Sequence, residues 1–498
     1  MSSRRLFYRK VQYALVIALK LLVLNWLFRP ATRGEGEGGD PGGKLAQVRE
    51  QCHLGHSYLG EVDLTFETVS LAMFGMQGVA SDVLWAEAYE CQKSKDWVAL
   101  AAILKQLTKL QRNYVKVWDY QAWNMAYNVA ASFDDYRQKY RWTIKGFECY
   151  LEGMKYNERE ATLQNRLAFS ISQKIGRSDE RKLFRKMFKE DDDFQGSRPL
   201  AQRDSWLVAR DWYLTAEDMV DHRGAVVRGE AALVFRSHAP LCLMHYANDL
   251  ETDGTFGETA QRAWAAAGKS WQQFATHQFV TPAGKLVRLD EGGLLQQLRD
   301  QKGAELAALS PGLGEKIRQE KLDRLPPAQR QVLDIPAAQR SDSQRKLAEL
   351  AARELRVSPD ELARRVESPQ RRRAGELARE LTELDETLDD IQGDREIVNY
   401  DYWKLRAEVE QSAALIAARG QVFEGDQDFS NAVLESARAN YEKGFAGWRK
   451  ILDRYPRLAK DPTTRAELAE VIKRYRETLR QSDLPFPRDF ILNDVLKP

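Results

Sequence analysis

The sequence predicts an all-α protein: a helix-turn-helix solenoid with one N-terminal transmembrane helix and at most a small β-hairpin. Three observations predict it. Between Trp85 and Gly176 apolar residues recur at helical spacing, as at Trp97, Leu100, Leu104 and Leu107, the stripe that an amphipathic helix turns toward a neighbour. Trp85 and Trp118 take similar places in successive helical stretches, 33 residues apart, close to the length of a two-helix repeat. Only residues 277–293, around Pro282-Ala283-Gly284, switch to the period-two alternation of strands.

The amino terminus comes first in the chain. Residues 11–28 form one apolar run of transmembrane length, interrupted by Lys20, which costs roughly 2.5–3.5 kcal/mol at a span's centre. Arg4, Arg5, Arg9 and Lys10 precede the run, so the basic side stays in the cytoplasm and the body is expected across the membrane. The run ends in Asn25-Trp26-Leu27-Phe28-Arg29-Pro30, without a small-x-small cleavage site, which favours an uncleaved anchor over a signal peptide. A glycine-rich linker follows within residues 34–44, a flexible tether that builds no core.

In the repeat region Asp96 stands where a helix N-cap is needed, and Arg112-Asn113 breaks the pattern before a second aromatic-rich helix. Trp118, Gln121, Ala122 and Met125, followed by Gly146, Tyr150 and Gly153, resemble the tetratricopeptide-repeat (TPR) superfamily. Gln121 and Glu158 depart from its pattern, and residues 128–139 look inserted between the two helices. The resemblance covers about two repeats and implies a non-catalytic scaffold that binds a protein or peptide. The chain is also similar to membrane-anchored bacterial proteins without an assigned activity. Candidate partner-binding residues are Trp85, Tyr89, Trp118, Asn124, Tyr127 and Asn128, the two asparagines sharing one helical face.

Further along, Cys52, His53 and His56 form a cluster of metal-ligating chemistry in which the His-x-x-His pair can point two imidazoles at one ion, with no third and fourth ligand at standard spacing. Ser178 is placed to start a helix, and Glu190–Asp193 is an acidic run. His238, Cys242 and His245 fall at i, i+4 and i+7, one helical face that suits a zinc or copper ion. Pro240 lies inside that spacing and argues for a helix beginning near it. Trp264 and Trp271 are seven apart in an alanine-rich helix.

From residue 294 the composition turns charged and alanine-rich. Ser358-Pro359-Asp360-Glu361 marks a helix start. Leu377, Leu381, Leu384, Leu388 and Ile391 then step by 4, 3, 4, 3, a short seam for packing within the chain or for an oligomer. Near the carboxyl end Gly420 reads as a helix cap, Thr464 and Glu467 as a capping box, and the last residues as an extended tail. The expected organisation is 1–33 cytoplasmic tip and anchor, 34–44 linker, 45–200 repeats, 201–293 further helices with the hairpin, 294–395 charged insertion, 396–484 C-terminal helices and 485–498 tail.

Composition narrows the function. Across 498 residues, 75 basic side chains nearly balance 73 acidic ones, a net charge of +2, so nothing points to nucleic acid. Twelve tryptophans fit anchors between stacked helices or an aromatic groove. Four separated cysteines make no disulfide framework. No phosphate-binding glycine loop, nucleophile elbow, H-E-x-x-H or C-x-x-C-H motif occurs. The expectation is a single-pass inner-membrane protein, its amino terminus inside, whose extracytoplasmic body docks a partner without catalysis or cofactor. The rivals are a metal- or redox-dependent envelope enzyme and a structural subunit of a membrane complex.

Overall fold

Amphipathic stripes and capped helix starts, repeated along the chain, produce an almost wholly helical structure. The computed structural model describes residues 76–281 and 284–496, with the isolated positions 19–20, 26, 43–44 and 47. Most of the 11–28 run, nearly all of the linker, and Cys52, His53 and His56 lie outside the described residues. Among the described residues no helix is long and apolar enough to cross a membrane. The chain divides into two compact units, Met1–Glu230 and Ala231–Pro498.

The first unit is helical-repeat-like. Its main helices are α1 (Met76–Ser94), α2 (Trp97–Leu110), α3 (Val115–Trp123), α4 (Tyr136–Lys155), α5 (Thr162–Ile171), α6 (Arg181–Glu190) and α7 (Ser205–Arg223). Leu100, Leu104 and Leu107 of the predicted stripe are fully buried against α1 and α3, and Asp96 caps α2 by accepting from the Ala99 N–H at 3.0 Å. Two helices do not end where α-geometry does. α3 runs on into a π-helical turn, Asn124–Val129, and α5 into another, Ser172–Gly176. These wide turns carry α3 through part of the expected insertion, so the break before α4 is short, and Asp135 caps that helix through the Arg137 N–H. Glycines set the closeness of α3 and α4: a β-carbon on Gly146 would meet the Ala122 carbonyl oxygen at 2.6 Å, and one on Gly153 would meet Trp118 at 2.7 Å.

One expectation for this unit fails. Ser178 does not cap α6, whose N-cap is Glu180. Beyond residue 200, α7 packs on α5 within the first unit. The acidic run has a structural task instead: Asp191 accepts from the Phe194 N–H at 3.1 Å and from the Tyr140 hydroxyl at 2.7 Å.

The second unit comprises α8 (Ala232–Thr252), α9 (Glu258–Ala275), a hairpin of β1 (Phe279–Val280) and β2 (Leu286–Val287), and α10 (Gly292–Ala308). It continues with α11 (Leu313–Arg324), α12 (Pro327–Leu333), α13 (Asp342–Leu355), α14 (Pro359–Arg365) and α15 (Arg371–Ile397), and ends with α16 (Tyr400–Glu410), α17 (Ala413–Ser430), α18 (Leu434–Arg454) and α19 (Pro462–Gln481). The hairpin is antiparallel, with Phe279 opposite Val287 and Val280 opposite Leu286. Trp264 and Trp271 are buried in the core of α8, α9 and α16. Ser358 caps α14 through the Glu361 N–H at 3.1 Å, as its sequence predicts.

Three local readings change in this unit. α8 passes through Pro240 instead of starting there, at the loss of one backbone bond. Gly420 lies inside α17, because Ser412 caps that helix earlier through the Leu415 N–H. Asp461, not Thr464, caps α19, accepting from the Thr464 N–H at 2.7 Å. The tail packs Phe486, Phe490, Leu492 and Val495 onto α18 and α19.

Candidate functional site

The face of α3 opposite its buried residues Val117, Trp118, Gln121 and Ala122 carries Lys116, Asp119, Tyr120 and Trp123. Together with one face of α1 and one of α5, it lines a groove of about 780 Å³ in the first unit. α1 supplies Trp85, Ala88, Tyr89 and Gln92; α5 supplies Arg166, Phe169 and Ser170; Tyr114 and Tyr150 complete the wall. Seven of these thirteen side chains are aromatic, a composition that suits an apolar or aromatic ligand. Tyr89 is 64% exposed, and Trp123 and Phe169 are each 40% exposed. They are large rings left uncovered.

The rings form a continuous run. Trp85 lies 6.3 Å from Tyr120, Tyr120 stacks 6.2 Å from Trp123, and Trp123 stacks 5.9 Å from Tyr127, measured between centroids. At the end of that run the Lys174 ammonium, from the π-turn after α5, stands 4.9 Å from the Tyr127 ring centre. Burial pushes the Tyr127 phenol up to about 12 and lowers the Lys174 ammonium.

One carboxylate faces this surface. Asp119 accepts from the Tyr150 hydroxyl at 3.0 Å, and the Arg166 Nε is 3.6 Å away. Burial raises the Asp119 carboxyl above its ordinary value although Arg166 and Tyr150 both pull it down. The Arg166 ε N–H is itself buried without a hydrogen-bond acceptor among the described residues. With Lys116 exposed at the rim, the described lining of the groove holds two cations against one carboxylate that already has its own hydrogen bond. An incoming acceptor with negative charge fits that surplus.

The sequence candidates divide. Trp85 and Tyr89 line the groove. Trp118 does not: it is 2% exposed, stacks on Tyr156 at 5.8 Å and sits against Gly153 on the core side. Asn124 is fully buried: its Oδ1 accepts from the Asn128 side chain at 3.0 Å, its Nδ2 has no acceptor among the described residues, and neither asparagine lines the groove. Tyr127 only extends the aromatic run. The ring that meets Trp85 in space is Tyr120. Sequence reading missed Tyr114, Tyr120, Trp123, Arg166 and Phe169. Tyr120 and Trp123 were findable as the aromatic face left over once the buried stripe of α3 is assigned; Arg166 and Phe169 carry no local signal.

His238, Cys242 and His245 do lie on one helix, but Cys242 is buried and the His245 ring meets the Trp403 ring edge-on at 5.7 Å. Among the described residues no group of three or more His, Cys, Asp or Glu side chains is placed to hold a metal ion. Leu377 and Leu381 are buried against α10 and α14 of their own unit, and Ile391 lies against Gly292. Leu384 and Leu388 are half-buried. Three of the five seam residues thus pack within the chain. No family model, no curated protein and no solved structure matches this chain.

Proposed function

We propose that the first unit is a non-catalytic docking module that takes an extended protein or peptide segment in its aromatic groove. The observation that carries the reading is the set of exposed rings, Tyr89, Trp123 and Phe169, that line a concavity of ligand size. The segment it fits bears aromatic or aliphatic side chains and a carboxylate to meet Arg166 and Lys116. The apolar run at 11–28 would hold the module at the bilayer with its body outside the cytoplasm. Tethering of that kind raises the effective concentration of membrane-associated partners.

A random peptide library selected on the full-length chain in lipid nanodiscs tests this. Selected peptides are expected to carry an aromatic or branched aliphatic residue near an Asp or Glu. Trp123→Ala and Phe169→Ala should each weaken them by about 2 kcal/mol, roughly thirtyfold. Arg166→Gln should weaken the acidic peptides selectively. A selection that yields nothing, or peptides bound equally by the Trp123→Ala and Phe169→Ala variants, overturns the reading.

A further inference from the structure

Five charged side chains from four helices of the second unit converge on one point. Glu251 comes from α8, Arg406 and Glu410 from α16, Arg419 from α17 and Glu467 from α19. Arg419 donates from Nε and Nη2 to the two oxygens of Glu410, at 2.9 and 2.7 Å. Its Nη1 and Nη2 also donate to Glu467, the second at 3.2 Å. Arg406 places Nε 3.3 Å from Glu410 and donates from Nη1 to the Tyr402 hydroxyl at 2.7 Å and from Nη2 to Asn248 at 3.4 Å. The Trp448 ring lies over the Arg419 guanidinium at 5.1 Å.

Glu251 is the carboxylate left over. It is 6% exposed, stands 3.5 Å from Arg419 Nε, and its hydrogen bond is the one accepted from the Trp264 indole N–H of α9 at 3.0 Å. Three carboxylates share two guanidiniums, and the N–H edges of Arg419 are taken by Glu410 and Glu467. One negative charge is in excess where little water reaches it, and such an excess is relieved by binding a proton.

We propose that this cluster is a proton-operated latch: as the pH falls from mildly alkaline to mildly acidic, Glu251 takes up one proton and the helices α17–α19 close more firmly onto α8, α9 and α16. Burial, opposed by Arg419 and reinforced by Glu410, pushes the Glu251 carboxyl up to about 7 from an ordinary 4.5. Burial also acts on Glu467, yet Arg419 holds that carboxyl below its ordinary value, so it stays ionised. With the folded value raised, the Glu251 contribution is complete below 4.5 and is lost as the pH rises through 7. His238 and His245 stand on the same helix, so the test must single out Glu251.

Hydrogen exchange of the full-length chain, corrected for the intrinsic pH dependence, reads the opening of α17–α19. Exchange should be about tenfold slower at pH 6 than at pH 8. Glu251→Gln copies the protonated side chain and keeps the acceptor for Trp264, so exchange should be slow at both pH values. Glu467→Gln removes one of the two carboxylates that press on Glu251 and should narrow the difference between pH 6 and pH 8, the burial of Glu251 being unchanged. Equal protection of the unsubstituted chain at the two pH values overturns the latch, as does a difference that survives Glu251→Gln. Loss of the helical circular-dichroism signal by Glu251→Gln at pH 6, where the two side chains are alike in charge, overturns it too.

Discussion

Gly146 has room for a hydrogen and nothing larger. A β-carbon there would press on the Ala122 carbonyl oxygen, part of a backbone that cannot swing aside. Alanine gains about 1 kcal/mol of helix propensity over glycine, while forcing a methyl into a closed contact costs about 1–3 kcal/mol or more. The contact wins, because the first obstacle is main chain. Gly146→Ala should therefore lower the urea midpoint of the first unit by the equivalent of 1–2 kcal/mol, on the order of these two effects combined. Gly303, inside α10, has nothing within 4 Å of its would-be β-carbon. There propensity acts alone, and Gly303→Ala should raise stability by about 0.5–1 kcal/mol. Opposite signs from one substitution type, read by urea titration of each variant, check the packing directly. The spacing of Gly146, Tyr150 and Gly153 was visible in the sequence, but which of them faces Trp118 was not.

At the scale of the element, caps show how local chemistry is read correctly in type and wrongly in place. The stretch Asp461-Pro462-Thr463-Thr464 holds several side chains able to start α19, and the sequence favours Thr464 because Glu467 stands three residues on. Asp461 wins because Pro462 fits the first helical turn, where its missing N–H is no loss. Glu467 is thereby free to reach Arg419. Asp461→Ala should cost about 1 kcal/mol and Asp461→Asn much less, measured by chemical denaturation of the second unit. The seam of α15 makes the same point over a longer stretch. Period and residue type predicted an apolar stripe, and α10 with α14 covers it. Leu381→Lys should then destabilise this part of the second unit by several kcal/mol, since it buries a charge without a partner. Light scattering should show no oligomer lost. Thermal unfolding at a lower temperature with unchanged mass would confirm that Leu381 is core.

Taking the whole molecule, charge is what composition hides. A net charge of +2 describes no part of the chain. The groove has surplus donors at Arg166 and Lys116 beside one satisfied carboxylate, whereas the second unit encloses a surplus carboxylate at Glu251. The two inferences are therefore independent in their tests. The peptide selection reads rings and cations of α1, α3 and α5, and the exchange experiment reads α17–α19. Failure of one leaves the other standing.

All-helical architecture, the helix starts at Asp96 and Ser358, the hairpin at residues 279–287 and the buried stripes of α2 and α15 were determined by sequence alone, because each follows from periodicity and capping chemistry within a few residues. Tertiary structure alone decided that Trp118 and Asn124 are core while Trp123 and Phe169 are exposed. It also decided that Glu251, Glu410 and Glu467 share Arg419. Those outcomes depend on the phase of one helix against the next and on contacts as far apart as residues 251 and 467. A π-turn shifts that phase by a fraction of a helical turn, and no local pattern of residue types records the shift.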